Sequence, residues 1–348
     1  MSFQSEIVKW YLENKRDLPW RDTTDPYVIW LSEIILQQTR VEQGKPYFLK
    51  FLEHFPNVAA FASASEEQVL KLWQGLGYYS RGRNMLYTAR YVVEHHGGRF
   101  PTSYSQLIKL KGVGAYTAAA ISSFSSNEQQ AVVDGNVYRV LARYFGIDEP
   151  INSNTGQKMF DALAKELIVD QEPAIYNQAI MEFGALQCKP KSPLCEKCPL
   201  RIDCRALKYK TVDQLPVKLK KVKVRKRWFN YFVGIADDEI LTRQRMPGDV
   251  WQHLYDFPLI ETEEEVSMAN ESFISQIEQM FGSQLTLRVL EHRKHILTHQ
   301  IIYVQFFAID NYIVNFNQHT DIKSVKIEAF KQLPHPKIIG DFIEKHLD

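Results

Sequence analysis

Cysteine is scarce in this chain: 348 residues hold four, all between Cys188 and Cys204, so disulfides cannot brace the fold at large. Although 45% of the residues are hydrophobic, no apolar run is long enough to cross a bilayer as a helix, which points to a soluble, globular protein. Fixed-period repeats and low-complexity tracts are missing, and a repeat array is excluded with them. The first residues, MSFQSEIVKWYLENKR, read as an amphipathic helix carrying Glu6 and Glu13, which suits neither a secretory signal nor a transit peptide. A cytoplasmic protein with no membrane partner is expected.

Net charge is nearly lacking as well, at +1, but the balance hides a division. Residues 1–228 carry 32 Lys and Arg against 23 Asp and Glu, a net +9, whereas residues 229–348 carry 10 against 18, a net −8. The length also favours two domains. The steepest step is KLKKVKVRKRWF, Lys218–Phe229, with seven bases and no acid. It follows Pro216 and interrupts any helical period, so residues 208–228 are expected to form a basic interdomain linker. A solvated charge run and a polyanion-facing linker are equally supported readings of it.

Before the linker, in residues 1–207, apolar residues recur at helical spacing, as in SEEQVLKLWQGLGYYS and TGQKMFDALAKELIV, and an all-α domain is expected. After it, in residues 229–348, WFNYFVGIADDEILTRQR reads as two strands around an Asp-Asp turn and HQIIYVQFFAID as another strand. ESFISQIEQMF and KIIGDFIEKHL supply helices, so the second domain is α/β or α+β.

The cysteines, Cys188, Cys195, Cys198 and Cys204, stand as C-x6-C-x2-C-x5-C. Four thiols so close together suit a metal centre, and ligand type alone does not separate tetrahedral zinc from a [4Fe–4S] cluster. The spacing resembles the iron–sulfur loop of the endonuclease III and MutY branch of DNA glycosylases. The resemblance implies a structural [4Fe–4S] cluster in a loop spanning 188–204, with Lys189, Lys191, Lys197, Arg201 and Arg205 around it.

Upstream, LKGVGAYTAAAI joins two helical stretches through Gly112 and Gly114. Backbone N–H groups at such a turn and helix start can hold a phosphate oxygen, and an ordinary capped turn is the plain alternative. Two acids are isolated among apolar residues: Glu33 in DPYVIWLSEIILQQTR and Asp134 in AVVDGNVYRV. Burial raises a carboxyl pKa and suits a general acid. From the residues alone, Glu33 could equally be an inward acid satisfied by a hydrogen bond, and Asp134 a helix N-cap.

LKGVGAY is similar to the helix-hairpin-helix of the same glycosylases, WLSEIILQQT to the MutY segment whose Glu protonates adenine, and VVDGNVYRV to the segment of its second catalytic acid. The resemblance implies that Glu33 is the acid, that Asp134 is the stabiliser of an oxocarbenium-like sugar or a transient nucleophile, and that Asn136 orients the water or Asp134. Tyr116 stands where lyase relatives carry lysine, and is expected as a hydrogen-bonding wall beside Asp134. Arg16, Trp20 and Arg21 fall near the extruded adenine by the same likeness, and Gln38 and Thr39 near the opposite base. LWQGLGYYSRGRN resembles the intercalation loop, giving Leu76, Tyr78 and Arg81 a place on DNA, with Tyr78 as wedge and Tyr79 as core.

Residues 229–348 resemble the MutY carboxy-terminal domain, a Nudix-like fold that recognises 8-oxoguanine. GDVWQHLYDFPLIE carries its landmarks, while ETEEEVSM lacks the arginine and spacing of a pyrophosphatase. HILTHQ falls where the family shows its lesion-reading turn, which implies that role for Thr298 and His299 with Leu297 in place of the aromatic; a strand-edge Thr and His with no such role is the plain alternative. The whole resemblance implies a monomeric, monofunctional adenine glycosylase acting on double-stranded DNA with A opposite 8-oxoguanine or G. The alternatives are a bifunctional endonuclease III-like lyase acting on oxidised pyrimidines and a non-catalytic iron–sulfur DNA-binding protein.

Overall fold

In the computed structural model, which describes residues 2–219, 224–314, 316 and 318–347, the chain forms two compact units. Residues Met1–Ala64 and Arg83–Lys220 make one, and Ser65–Gly82 joins Lys221–Asp348 in the other. The first unit contains α1 (Phe3–Asn14), α2 (Pro26–Ile35), α3 (Val41–His54) and α4 (Val58–Ala62). The second takes α5 (Glu66–Trp73), and α6 (Ser80–His96) begins in the second unit and runs into the first. The helical unit continues through α7 (Tyr104–Leu107), α8 (Ala115–Ser126), α9 (Gly135–Phe145), α10 (Asn154–Leu167), α11 (Pro173–Leu186) and α12 (Arg205–Lys208).

Helix α2 is built to be buried. Asp25 caps its N-terminus by accepting the Tyr27 N–H at 2.8 Å, Pro26 fills the first turn, and Tyr27, Ile29, Trp30, Leu31, Ile34 and Ile35 are all buried. It packs against α3 and α8, and α8 is alanine-rich on the side where Ala118, Ala119 and Ala120 are buried. Small side chains allow that close approach. Helix α9 has an apolar stripe of Val137, Val140 and Leu141 facing α11, and Gly146 ends it in the left-handed conformation at φ 67°.

The second unit holds a seven-stranded mixed sheet: β1 (Arg225–Ala236), β2 (Glu239–Gln244), β3 (Tyr255–Asp256), β4 (Leu259–Thr262), β5 (Thr286–Ile296), β6 (Gln300–Asp310) and β7 (Ile322–Lys326). The order is β3-β2-β1-β6-β5, with β4 added to β1 and β7 to β2; β1 and β6 run parallel and the other pairs antiparallel. The helices are α13 (Glu271–Phe281), α14 (Ile327–Gln332) and α15 (Lys337–His346). Alternation along the strands sends Phe232 and Phe307 toward Phe273 and Phe281 of α13, while Phe306 stacks on Phe342 of α15 at 4.3 Å.

The expected Asp-Asp turn joins β1 to β2: Asp237 and Asp238 sit at φ 50° and 64°, as a two-residue hairpin with strand-matching twist requires. Strand β5 is absent from the sequence reading because TLRVLEHRKHI is largely polar or charged and half-exposed, the composition of a protected edge. The basic stretch is not linker throughout. Leu215 is buried in the helical core, with Val212 and Val217 packed on it, whereas Arg225–Trp228 already belong to β1. Arg227 is buried there because its guanidinium pairs with Asp249 at 2.6 Å and with Glu261. Lys220, Lys221 and Lys223, also part of that run, lie outside the described residues.

Replacing Asp25 by alanine removes the α2 cap and is expected to cost about 1 kcal/mol, read from denaturant unfolding, while Asp25→Asn keeps the cap and most of the stability.

Candidate active site

A cavity of about 540 Å³ opens within the helical unit, with Glu33, Tyr116, Asp134 and Asn136 on its wall. Each is half-buried, the open part facing the cavity. Glu33 is carried in by α2, Tyr116 by the first turn of α8, and Asp134 and Asn136 by the start of α9. The Tyr116 hydroxyl donates to Glu33 Oε2 at 2.8 Å, so its partner is Glu33 and not Asp134. Burial pushes the Glu33 carboxyl up to about 7; the Tyr116 hydrogen bond and Arg21 oppose that rise and nearby Asp134 adds to it. The phenol itself is held well above its ordinary range by burial and by Glu33, and stays a donor.

Asp134 is indeed the N-cap of α9, and it faces the cavity in that role. It accepts the N–H groups of Asn136 at 2.9 Å and Val137 at 2.8 Å, and the Asn136 side-chain amide at 2.7 Å. Burial raises its pKa, against the pull of these three hydrogen bonds. Asn136 cannot turn away, because its Oδ1 accepts from Arg139 at 2.8 Å. Gly184 of α11 presses against it: a Cβ there would lie 2.7 Å from the Asn136 Cβ.

Arg16, Trp20, Arg21 and Thr39 also line the cavity. The two arginines converge on Glu182, a residue the sequence reading missed: Arg16 Nε lies 2.8 Å from it, Arg21 pairs with its other oxygen, and their charge holds its carboxyl down at about 2 despite burial. The missed signal was the one that marked Glu33, since Glu182 is the only charged residue between Glu172 and Lys189. Gln38 is exposed, at φ 57°, just past α2.

The hairpin turn uses its two glycines differently. Gly112 has φ 79° and a Cβ there would meet Asn84 at 3.0 Å, whereas Gly114, the N-cap of α8, leaves open space where a Cβ would stand. No side chain caps α8. Its first amides are therefore accessible to an outside acceptor.

In the second unit, Tyr78 is 46% exposed at φ 48° and its hydroxyl is hydrogen-bonded to that of Thr298. Leu297, Thr298 and His299 form the β5–β6 turn, closed by the Leu297 N–H to Gln300 O bond, and Thr298 and His299 are exposed. Two expectations fail in this loop. Leu76 is buried and cannot be offered to DNA, and Arg81 turns inward, its guanidinium donating to the carbonyl oxygens of Leu76 and Gly77 and lying 5.0 Å from the Trp73 ring. Both residues shape the loop that presents Tyr78. Tyr79 is core, as expected, and donates to His335 O at 3.1 Å.

All four cysteines are free and line one cavity beside Arg143, whose guanidinium reaches Cys188 Sγ at 3.5 Å. Among the described residues no three Cys, His, Asp or Glu side chains are grouped for a single metal ion.

Residues 31–166 match the HhH-GPD superfamily of base excision DNA repair proteins, and residues 230–345 match the NUDIX domain. An adenine DNA glycosylase of Buchnera aphidicola subsp. Baizongia pistaciae is 33% identical over 343 residues, spanning 97% of this chain and 93% of that protein. The chain belongs to the adenine DNA glycosylase family. A human adenine DNA glycosylase is 41% identical over 62% of this chain and 41% of its own length. Among solved structures, a thermostable thymine-DNA glycosylase superposes with a TM-score of 0.55 at 32% identity, over 60% of this chain and 95% of its own. A non-covalent endonuclease III–DNA complex shares the helical fold, with a TM-score of 0.52 at 21% identity over 60% of this chain and 94% of that one. Adenine DNA glycosylases are enzymes of base excision repair, and here a helix-hairpin-helix glycosylase fold is followed by a Nudix-like α/β fold with a mixed sheet.

The raised Glu33 carboxyl makes stability fall as pH rises. Between about 4.5 and 7 the folded chain keeps a proton that the unfolded chain has lost, which removes up to about 3 kcal/mol across that window. Glu33→Gln should abolish this slope, leaving the variant more stable than the parent at pH 8 and similar to it near pH 4, as unfolding free energies will read.

Proposed function

We propose that this glycosylase hydrolyses the N-glycosidic bond of adenine opposite 8-oxoguanine or G and leaves an intact abasic strand. The observation that carries the reading is the contrast between two carboxyls in one cavity. Glu33 has one hydroxyl donor and a pKa near 7, so a large share is protonated at neutral pH; Asp134 accepts three N–H bonds, which favour its anion. Adenine leaves poorly as an anion. Glu33 protonates it, most readily at N7, and Asp134 faces the oxocarbenium-like sugar as the negative charge that stabilises it. Asn136 holds Asp134, and Tyr116 holds Glu33.

The lyase alternative needs an amine that can attack the sugar. Tyr116 offers only a phenol, and among the described residues no lysine lines the cavity. Arg16, Arg21 and Trp20 stand ready for the extruded base, Gln38 and Thr39 for its former partner, and the hairpin amides at Gly112 and Gly114 for a phosphate. Tyr78, Thr298 and His299 are assigned to the lesion side as wedge and reader. The protein acts as a monomer.

The four thiols suit a [4Fe–4S] cluster better than zinc. All four line one cavity beside Arg143, and their C-x6-C-x2-C-x5-C spacing resembles the iron–sulfur loop of this branch of glycosylases. Cys188, Cys195, Cys198 and Cys204 would hold the cluster, which supplies a structural cross-link and takes no part in hydrolysis.

Single-turnover assays on duplexes bearing A opposite 8-oxoguanine, A opposite G, and thymine glycol test the reading. Adenine release should fall as pH climbs through about 7, because the protonated Glu33 is the active form, and Glu33→Gln should lose roughly 10² to 10⁴-fold. Release should run without strand cleavage or borohydride trapping. Excision by Glu33→Gln within tenfold of the parent, or cleavage keeping pace with release, would sink the assignment. Protein purified without oxygen should carry about four irons per chain; stoichiometric zinc without visible absorbance overturns the cluster.

A further inference from the structure

Helix α6 and the hairpin turn are pressed together, and the join leaves an unassigned cation beside the turn. Asn84 of α6 fills the space a side chain at Gly112 would need, and one turn further along α6 the Thr88 hydroxyl donates to Lys111 O at 2.8 Å. Lys111 directly precedes Gly112, so its backbone is fixed by the same contact that shapes the turn. Its ammonium stands 4.4 Å from the centroid of the Tyr87 ring, which is 52% exposed. Among the described residues no carboxylate pairs with Lys111. From residue 83 to 127 the chain carries five bases, Arg83, Arg90, Arg99, Lys109 and Lys111, against the single acid Glu94.

We infer that Lys111, held by Tyr87, is a second DNA-phosphate contact beside the hairpin amides. The pair extends the backbone grip from the Gly112–Gly114 turn onto α6. The inference rests on the reading of the protein as a DNA-binding glycosylase and deepens it. The reasoning is one of preorganisation. A free surface lysine loses side-chain freedom when it meets a phosphate, whereas one lodged on an aromatic face has already lost part of it. The ring leaves the ammonium charge uncompensated, unlike a carboxylate partner. A duplex backbone is the occupant that the charge fits: the stretch is rich in bases and poor in acids, as a contact that tracks phosphates requires.

The test is equilibrium binding of an undamaged duplex titrated across roughly 50 to 200 mM salt. Lys111→Gln should reduce the magnitude of the log–log salt slope by about 0.9, the loss of one neutralised phosphate. Tyr87→Leu should weaken binding about threefold by releasing the lysine, and Tyr87→Phe, which keeps the ring, should bind like the parent. Lys165→Gln, which removes a lysine paired with Asp161 on α10, is the control for net charge. A Lys111→Gln slope equal to the parent's, or an equal change from Lys165→Gln, overturns the inference. A merely structural pair would move the melting temperature and leave the slope alone, which also overturns it. Failure of adenine excision in the parent strikes the proposed function and leaves this result standing, since the slope is read on a duplex without a lesion.

Discussion

A buried guanidinium holds the helical unit's chemistry together. Arg139 of α9 donates to Cys188 O at 2.7 Å, Gly184 O at 2.6 Å, Gly135 O at 3.2 Å and Asn136 Oδ1 at 2.8 Å. One side chain thus ties the start of the cysteine loop, helix α11 and the start of α9. A buried charge is tolerable only when its donors are matched, and these acceptors supply the match. Because Asn136 Oδ1 faces Arg139, its amide nitrogen must face Asp134. Arg143, one turn on, repeats the device toward Val212, Leu215 and Lys189 carbonyls, so the loop around the cysteines is fastened to α9 twice.

That fastening explains why the two acids differ. Both are half-buried in the same cavity wall, and burial raises both. Asp134 sits at a helix start, where unsatisfied amides gather and a carboxylate is stabilised by them. Glu33 sits in the last turn of an apolar helix, and among the described residues its hydrogen-bond partner is the Tyr116 hydroxyl. Position along a helix, not residue type, sets which carboxyl is offered backbone amides that oppose the rise. Glu182 gives the third case: more deeply buried than either, it stays ionised because two arginines converge on it.

Much of this was legible from composition along the chain. An acid alone in an apolar run marked Glu33 and Asp134, and the same rule applied to α11 would have marked Glu182. The helical and mixed halves followed from periodicity, and the Asp-Asp hairpin from its turn residues. The misses share a cause. Leu76 and Arg81 were placed by likeness in a loop whose sequence says nothing of direction, and only packing shows one buried and the other bent back onto carbonyls. Strand β5 and the buried Arg227 were hidden because charge was read as exposure, yet an edge strand is charged by design and a guanidinium between two carboxylates can be internal.

The grouping of Ser65–Gly82 with the second unit could not be read from sequence at all, because it depends on contacts across nearly two hundred residues and more. Tyr79 donates to His335 O, Gln74 accepts the His335 N–H at 3.4 Å, and the Tyr78 hydroxyl meets that of Thr298. The proposed wedge and the proposed lesion-reading turn therefore belong to one compact body, although the first is encoded among the helices. Beside Leu297, which stands in place of an aromatic, the Thr298 hydroxyl meets that of the proposed wedge. A substitution at Thr298 that removes its hydroxyl therefore removes a hydrogen bond to Tyr78.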